Sequence, residues 1–216
     1  MKQKALNNQL SAVKCAHIKS CLKGSAVLDV GAGDGHYLAW LAAENPTLAL
    51  VAIDHKEPPN APTFTYHQAD LEKPIDFPDH SFSTILAFDI LEHITHEQQL
   101  IAHIFRICRT GGIIIGSVPH DNDAFLPDYN LTFYHRSDLT HKRYYTKETL
   151  HALLERAGFH TITINGKGGV NPHVIAEFFP RGTRYIIKKI IGGLRRIGII
   201  NTNLLTSDLF FIAQKQ

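Results

Sequence analysis

Residues 27–35 read VLDVGAGDG: an apolar run with an acidic residue inside it, then Gly31, Gly33 and Gly35 at alternate positions. Val27, Leu28 and Val30 suit a strand buried on both faces of a parallel sheet. The glycines admit positive φ and let a ligand come close to the main chain at the strand's carboxyl end. The pattern predicts a strand, a tight ligand-holding loop, and a helix over HYLAWLAAEN (36–45) capped by Asp34.

A dinucleotide phosphate loop needs its third glycine one position later, where this chain has His36. Asp29, buried beside the loop, would meet a pyrophosphate badly but would suit an ammonium group. S-adenosylmethionine carries such a group together with a sulfonium. Asp54 closes the apolar run LALVAID, 19 residues beyond Gly35. An acid at the end of a second strand can accept hydrogen bonds from both ribose hydroxyls of a nucleoside.

The rest of the chain repeats the alternation of strand and helix. FTYHQ leads to Asp70, SFSTILAFD ends near Asp89, GGIIIGSV follows as a fifth strand, and FHTITIN and SDLFFIAQ read as two more. Thr95 and Gln98 have capping-box spacing, which predicts a helix from about His96 to Cys108. Thr146 starts another, with Leu150, Leu153, Leu154 and Ala157 on one face and Gly158 as its stop. Scattered apolar positions over 2–22 suit an amphipathic helix within an N-terminal segment, 1–24. The expected architecture is α/β, a doubly wound, mostly parallel seven-stranded sheet with helices on both faces. At 216 residues, 44% hydrophobic, the chain can bury one sizeable core, so 1–216 is expected to be a single domain. Segments 119–145 and 170–206 fall outside the repeating pattern and are where an acceptor pocket or lid should lie.

The residues of the glycine loop resemble motif I of the class I S-adenosylmethionine-dependent methyltransferases. The resemblance continues through LEHI at 91–94, RICRTGG at 106–112 and YYTKETLHALLERAGF at 144–159, and spans roughly residues 25–165. It implies S-adenosylmethionine as cofactor, with Asp29, Gly31, Gly33, Gly35 and Asp54 in its site. It also implies that Asp70 and Leu71 face the adenine, and that Phe88 and Asp89 border the methionine portion. Such motifs encode the donor, not the acceptor.

Methyl transfer from a sulfonium is an in-line displacement in which positioning and water exclusion supply most of the catalysis. A base is needed only for a hydroxyl or amine acceptor. His120, directly after Pro119, is the first candidate, and His141 the second. His135, Asp138 and Arg143 could line the same pocket, with Tyr134 and Tyr144 as aromatic walls. A solvated loop packed for structural reasons explains the same residues equally well. No metal site is expected. His96-Glu97 opens like a helical zinc-protease motif, but position 100 is Leu, and His93 and His96 lack a third ligand at a recognisable spacing.

Net charge of +2 does not call for a nucleic-acid partner. Cys15, Cys21 and Cys108 form neither a disulfide framework nor a thiolate zinc pattern and point to a reducing, cytoplasmic setting. The first twenty residues lack the apolar core of a signal peptide, and no uncharged run approaches a membrane span. If RYIIKKIIGGLRRIGII (184–200) is helical, Arg184, Lys188, Lys189, Arg195 and Arg196 lie on one side, with Ile186, Ile187, Ile190, Ile191, Leu194 and Ile197 opposite. Packing on the domain or in a homodimer is the ordinary use of such a face. Contact with an anionic membrane surface is the other. The leading expectation is a methyltransferase acting on oxygen or nitrogen of a small-molecule or glycan- or lipid-linked acceptor. The alternatives are a non-catalytic cofactor-binding subunit and a nicotinamide-dependent oxidoreductase.

Overall fold

The computed structural model describes residues 10–58, 63–121, 138–167, 179–197 and 206–216. Strand β1 (Ala26–Val30) lies between β2 (Ala49–Asp54) and β4 (Phe82–Phe88), parallel to both, with Asp29 opposite Ala52 and Leu86. Every residue of β4 is buried, which is why the strand reads as a continuous apolar run instead of alternating. With β3 (Thr65–Gln68), β5 (Cys108–Pro119), β6 (His160–Lys167) and β7 (Asp208–Gln214), the sheet has seven strands in the order β3-β2-β1-β4-β5-β7-β6. It is parallel from β3 to β5, and β7 runs antiparallel to both β5 and β6. The expected α/β fold is present. β5 starts earlier than Gly111-Gly112, because Cys108 already pairs with Phe82 before a register shift.

Helices cover both faces. α1 (Ala12–Cys21) and α2 (His36–Glu44) bury Ile18, Leu38 and Leu41 against Val27, Leu50 and Leu86. On the other face α3 (Glu97–Ile107) and α4 (Lys147–Arg156) bury Leu100, Ile101, Ile104, Leu150 and Leu154 against Leu28, Ile85 and Ile114. Each such side chain contributes roughly 1.5–3 kcal/mol when removed from water. Of the N-terminal helix expected over 2–22, only the part within the described residues can be placed, and residues 1–9 lie outside them.

The helix starts divide between local and tertiary control. Thr146 caps α4 as predicted, its hydroxyl accepting from Thr149 N at 3.2 Å. Two other caps differ from expectation. α2 begins after Gly35 with no side-chain cap, and Asp34 instead lies 3.6 Å from His36 Nε2. Thr95 does not cap α3 through a capping box. Its N–H and hydroxyl both donate to Glu72 Oε1 at 2.7 Å, and His96 N donates to Glu72 Oε2 at 3.2 Å. A carboxylate from the turn after β3 thus takes the N–H groups just ahead of α3, and the helix begins at His96 with no side-chain cap.

Glu72 also fastens the segment before α4. Lys142 Nζ donates to its Oε1 at 2.9 Å. Backbone donation from Thr95 is the largest influence on its acidity, followed by Lys142, and together they hold the carboxyl down at about 2. Arg143 adds an ion pair to Glu97 and a bond to Thr95 O at 2.9 Å.

Candidate functional site at the carboxyl ends of the strands

The three motif glycines all have positive φ, +74° at Gly31, +53° at Gly33 and +70° at Gly35, but their surroundings differ. A Cβ on Gly31 would meet Ile90 at 2.6 Å, and one on Gly35 would meet Phe64 at 2.2 Å. Only at Gly33 is there open space. Two glycines thus let the loop fold tightly against the protein, and the middle one leaves room for a ligand.

Asp54 joins this loop directly. It is buried, and its Oδ2 accepts from Gly33 N at 2.8 Å, while Oδ1 lies 2.7 Å from His55 Nδ1 and accepts from Lys56 N at 3.3 Å. The carboxylate holds the loop's open position.

Asp29 is 3% exposed, and its Oδ2 has no hydrogen-bond partner among the described residues. Burial, reinforced by Asp54 and opposed by Lys14, pushes its carboxyl up to about 7. A buried carboxylate with an unpartnered oxygen is costly without a ligand and well suited to one bearing a cation. The donor set therefore fits a nucleoside with vicinal hydroxyls and an ammonium group.

Asp70 and Leu71 follow β3. Leu71 is buried, and Asp70 is exposed, accepting from Glu72 N at 3.0 Å with Lys73 at 3.4 Å. Phe88 points into the core, its ring 5.6 Å from Tyr37 and 6.3 Å from Phe210. Asp89 has φ +52° at the end of β4. It accepts from Ser117 Oγ at 2.5 Å and is paired with Lys14 of α1. The sequence gives no hint of Lys14, whose ammonium also sits 5.5 Å over the Phe88 ring.

Next to Asp89 lies a cavity of about 260 Å³ lined by Asp89, Glu92, His93, Pro119, Asp138, His141 and Asp208. The two base candidates part company here. His141 lines the cavity, with its side chain only 8% exposed and its ring edge-on to His93 at 4.7 Å. Burial, and then His93, lower its pKa, with Asp138 and Asp89 opposing. His120 is not among the lining residues. Its Nδ1 is held by Thr206 Oγ1 at 2.7 Å and Thr206 O at 3.0 Å. Tyr134 and His135 lie outside the described residues.

Glu92 is the residue sequence reasoning missed. It is 1% exposed, its Oε2 has no hydrogen-bond partner among the described residues, and burial pushes its carboxyl up to about 8. The neighbours of His93 come from tertiary structure and not from a recognisable spacing in the sequence. Glu92 and His93 share a 3₁₀ turn (Leu91–His93), and Lys142 N donates to Glu92 O at 2.8 Å, which brings the neighbouring His141 to them. Glu92, His93 and His141 each offer a ligand atom within 4.8 Å of the others.

The segment expected to be amphipathic forms α5 (Arg184–Arg196) within the described residues. Its apolar side is packed only in part, with Ile187, Ile191 and Leu194 half-buried. Ile186, Ile190 and Ile197 are 57%, 50% and 67% exposed. Among the described residues no helix is long and apolar enough to cross a membrane.

Comparison with known proteins agrees with this arrangement. The model of a methyltransferase domain family matches residues 7–164. A probable S-adenosylmethionine-dependent methyltransferase of Mycolicibacterium smegmatis is 28% identical over 146 residues, 63% of this chain and 52% of that protein. The chain thus spans about half the length of this curated relative. Among solved structures, a SAM-dependent methyltransferase from Archaeoglobus fulgidus superposes with a TM-score of 0.65 at 21% identity, over 94% of this chain and 93% of the other. Phosphoethanolamine N-methyltransferase 2 of Haemonchus contortus, solved with S-adenosyl-L-methionine, gives 0.61 at 17% identity over 95% of this chain and 53% of the other. With a glycine loop, strand-end acids, a sheet of this topology and a family model matched over most of its length, the chain belongs to the methyltransferase domain family, within the class I S-adenosylmethionine-dependent methyltransferases.

Proposed function

We propose that this protein moves a methyl group from S-adenosylmethionine to an oxygen or nitrogen of a small-molecule, glycan-like or lipid-linked acceptor. The observation that carries this reading is the buried Oδ2 of Asp29, unpartnered among the described residues, in a chain whose glycine loop keeps open space at Gly33. When bound, the cofactor supplies an electrophilic methyl on a sulfonium, whose departure as a neutral thioether needs no acid. Asp29 faces the ammonium, Asp54 takes the ribose hydroxyls, and the main chain at Gly31, Gly33 and Gly35 shapes the nucleoside pocket. Asp70 and Leu71 flank the adenine. Asp89 borders the methionine portion, with Phe88 supporting it from the core. The cavity beyond Asp89 takes the acceptor, and His141 is the histidine placed to act on its proton.

Calorimetry with S-adenosylhomocysteine and with NAD tests the donor. Saturable binding of the first and none of the second is expected, and the reverse would make the chain an oxidoreductase. Transfer from labelled S-adenosylmethionine over a panel of hydroxyl and amine acceptors tests turnover. Binding without transfer to any of them would instead support a non-catalytic partner subunit.

The exposed Ile186, Ile190 and Ile197 beside the lysines of α5 favour a lipid-linked acceptor reached at an anionic bilayer surface. In liposome flotation the protein is expected to rise with anionic vesicles at low salt and to be released by high salt. If nothing floats at low salt and light scattering reports a doubled mass, the helix is a homodimer contact instead.

A further inference from the structure

The geometry points to a divalent metal site formed by Glu92, His93 and His141, which seats a first-row transition ion against the acceptor. The inference rests on the acceptor reading of the cavity, and it gives His141 a way to act on the acceptor's proton through an ion.

Four observations carry it. The three ligand atoms lie within 4.8 Å of one another, a spread that modest side-chain rotation can close around an ion with bonds of about 2.0–2.2 Å. Two imidazoles and one carboxylate form a mixed nitrogen and oxygen set, which suits zinc, manganese, iron(II) or cobalt. Magnesium and calcium prefer oxygen throughout. Glu92 is buried with its Oε2 unpartnered among the described residues. A buried carboxylate oxygen in that condition is one that a cation would satisfy.

The last observation is the support behind His93. Its Nδ1 lies 2.9 Å from Thr140 Oγ1, and the Thr140 hydroxyl donates to Asp138 Oδ1 at 2.6 Å. Because the threonine proton is committed to Asp138, the threonine oxygen accepts from Nδ1–H, and the imidazole lone pair is left on Nε2. Metal-binding histidines are held by this kind of outer bond. Asp138 also lines the cavity, and its charge raises the local concentration of cations, whereas the charge of Asp89 is met by Lys14.

Three protein ligands leave coordination positions open, and the cavity gives an acceptor hydroxyl access to one of them. An ion there lowers the hydroxyl's pKa. The O–H bond breaks and the proton leaves to solvent; the oxygen keeps the electron pair and forms the bond to the methyl carbon as the methyl–sulfur bond of the sulfonium breaks, its pair staying on the departing thioether sulfur.

The test is cobalt(II) titration of chelator-treated wild-type protein, followed by visible absorption and calorimetry. One equivalent is expected to bind and to give the d–d bands of a low-coordinate nitrogen and oxygen site. Glu92→Gln and His93→Gln are each expected to weaken binding by at least about tenfold, and Asp138→Asn by less. Absence of saturable binding in the wild-type protein overturns the site whether or not the variants fold. Unchanged affinity in both folded ligand variants, checked by melting curves, also overturns it. S-adenosylhomocysteine binding to the same chelator-treated wild type separates the two readings. If it persists while cobalt fails, only the metal site falls. If it is lost while cobalt binds, only the donor reading falls.

Discussion

Asp54→Ala is expected to weaken S-adenosylhomocysteine binding by roughly two to four orders of magnitude. Two ribose hydroxyls would each lose a hydrogen bond to a charged acceptor, and such bonds are worth about 1.5–3 kcal/mol apiece. Every 1.4 kcal/mol or so is a factor of ten in affinity. The substitution also releases Gly33 N, which Asp54 Oδ2 holds at 2.8 Å, so the loop at its open position loses its anchor. Asp54→Asn is expected to fall between wild type and alanine, because the amide keeps one acceptor oxygen but turns an N–H donor toward the crevice. Calorimetry on the three proteins decides. An alanine variant that binds within threefold of wild type would remove the carboxylate from the ribose and undercut the proposed donor site.

Asp29→Asn is expected to make the ligand-free protein more stable at pH 8, and to weaken its hold on a ligand carrying an amine. The carboxyl of Asp29 is pushed up to about 7 in the fold, from an ordinary value of 3.8. Below pH 3.8 both folded and unfolded chains hold the proton, and no penalty exists. Between 3.8 and about 7 the unfolded chain ionises while the folded one keeps its proton, so stability falls as pH rises. Above 7 the penalty is complete, on the order of 4 kcal/mol. Asparagine does not titrate. Its advantage over wild type should be negligible near pH 4, grow through the acidic range and level off above neutrality, as read by chemical denaturation across pH. Saturating S-adenosylhomocysteine should shrink the advantage, since its ammonium meets the wild-type carboxylate. A stability gap that does not change with pH would mean that Asp29 is ionised and paired in the fold.

The legibility of these features follows the range over which they are determined. The strand, glycine loop and second strand were readable because period, glycine placement and a strand-end acid are all local. The cap at Thr146 was readable for the same reason. Thr95 carries an equally good local signal, yet Glu72 reaches it from a separate loop and engages its hydroxyl, and the helix starts with no side-chain cap. Lys14 on Asp89 leaves no trace in spacing, because the partners belong to a helix at one end of the chain and a strand end in the middle. Glu92 sits inside LEHI, where its burial could not be read. His93 and His141 meet through tertiary bonds that spacing does not encode, among them Lys142 N to Glu92 O and Thr140 Oγ1 to His93 Nδ1. The α5 pattern was read correctly as amphipathic, but whether the apolar side would be covered depended on neighbours that periodicity does not name.

The fastening of residues 138–145 has an evolutionary consequence. Glu72 and Glu97 moor this stretch from outside the glycine crevice. Because Glu72 N also donates to Asp70 Oδ1 at 3.0 Å, the stretch is tied to the turn that follows β3, and a substitution in either one must be accommodated by the other.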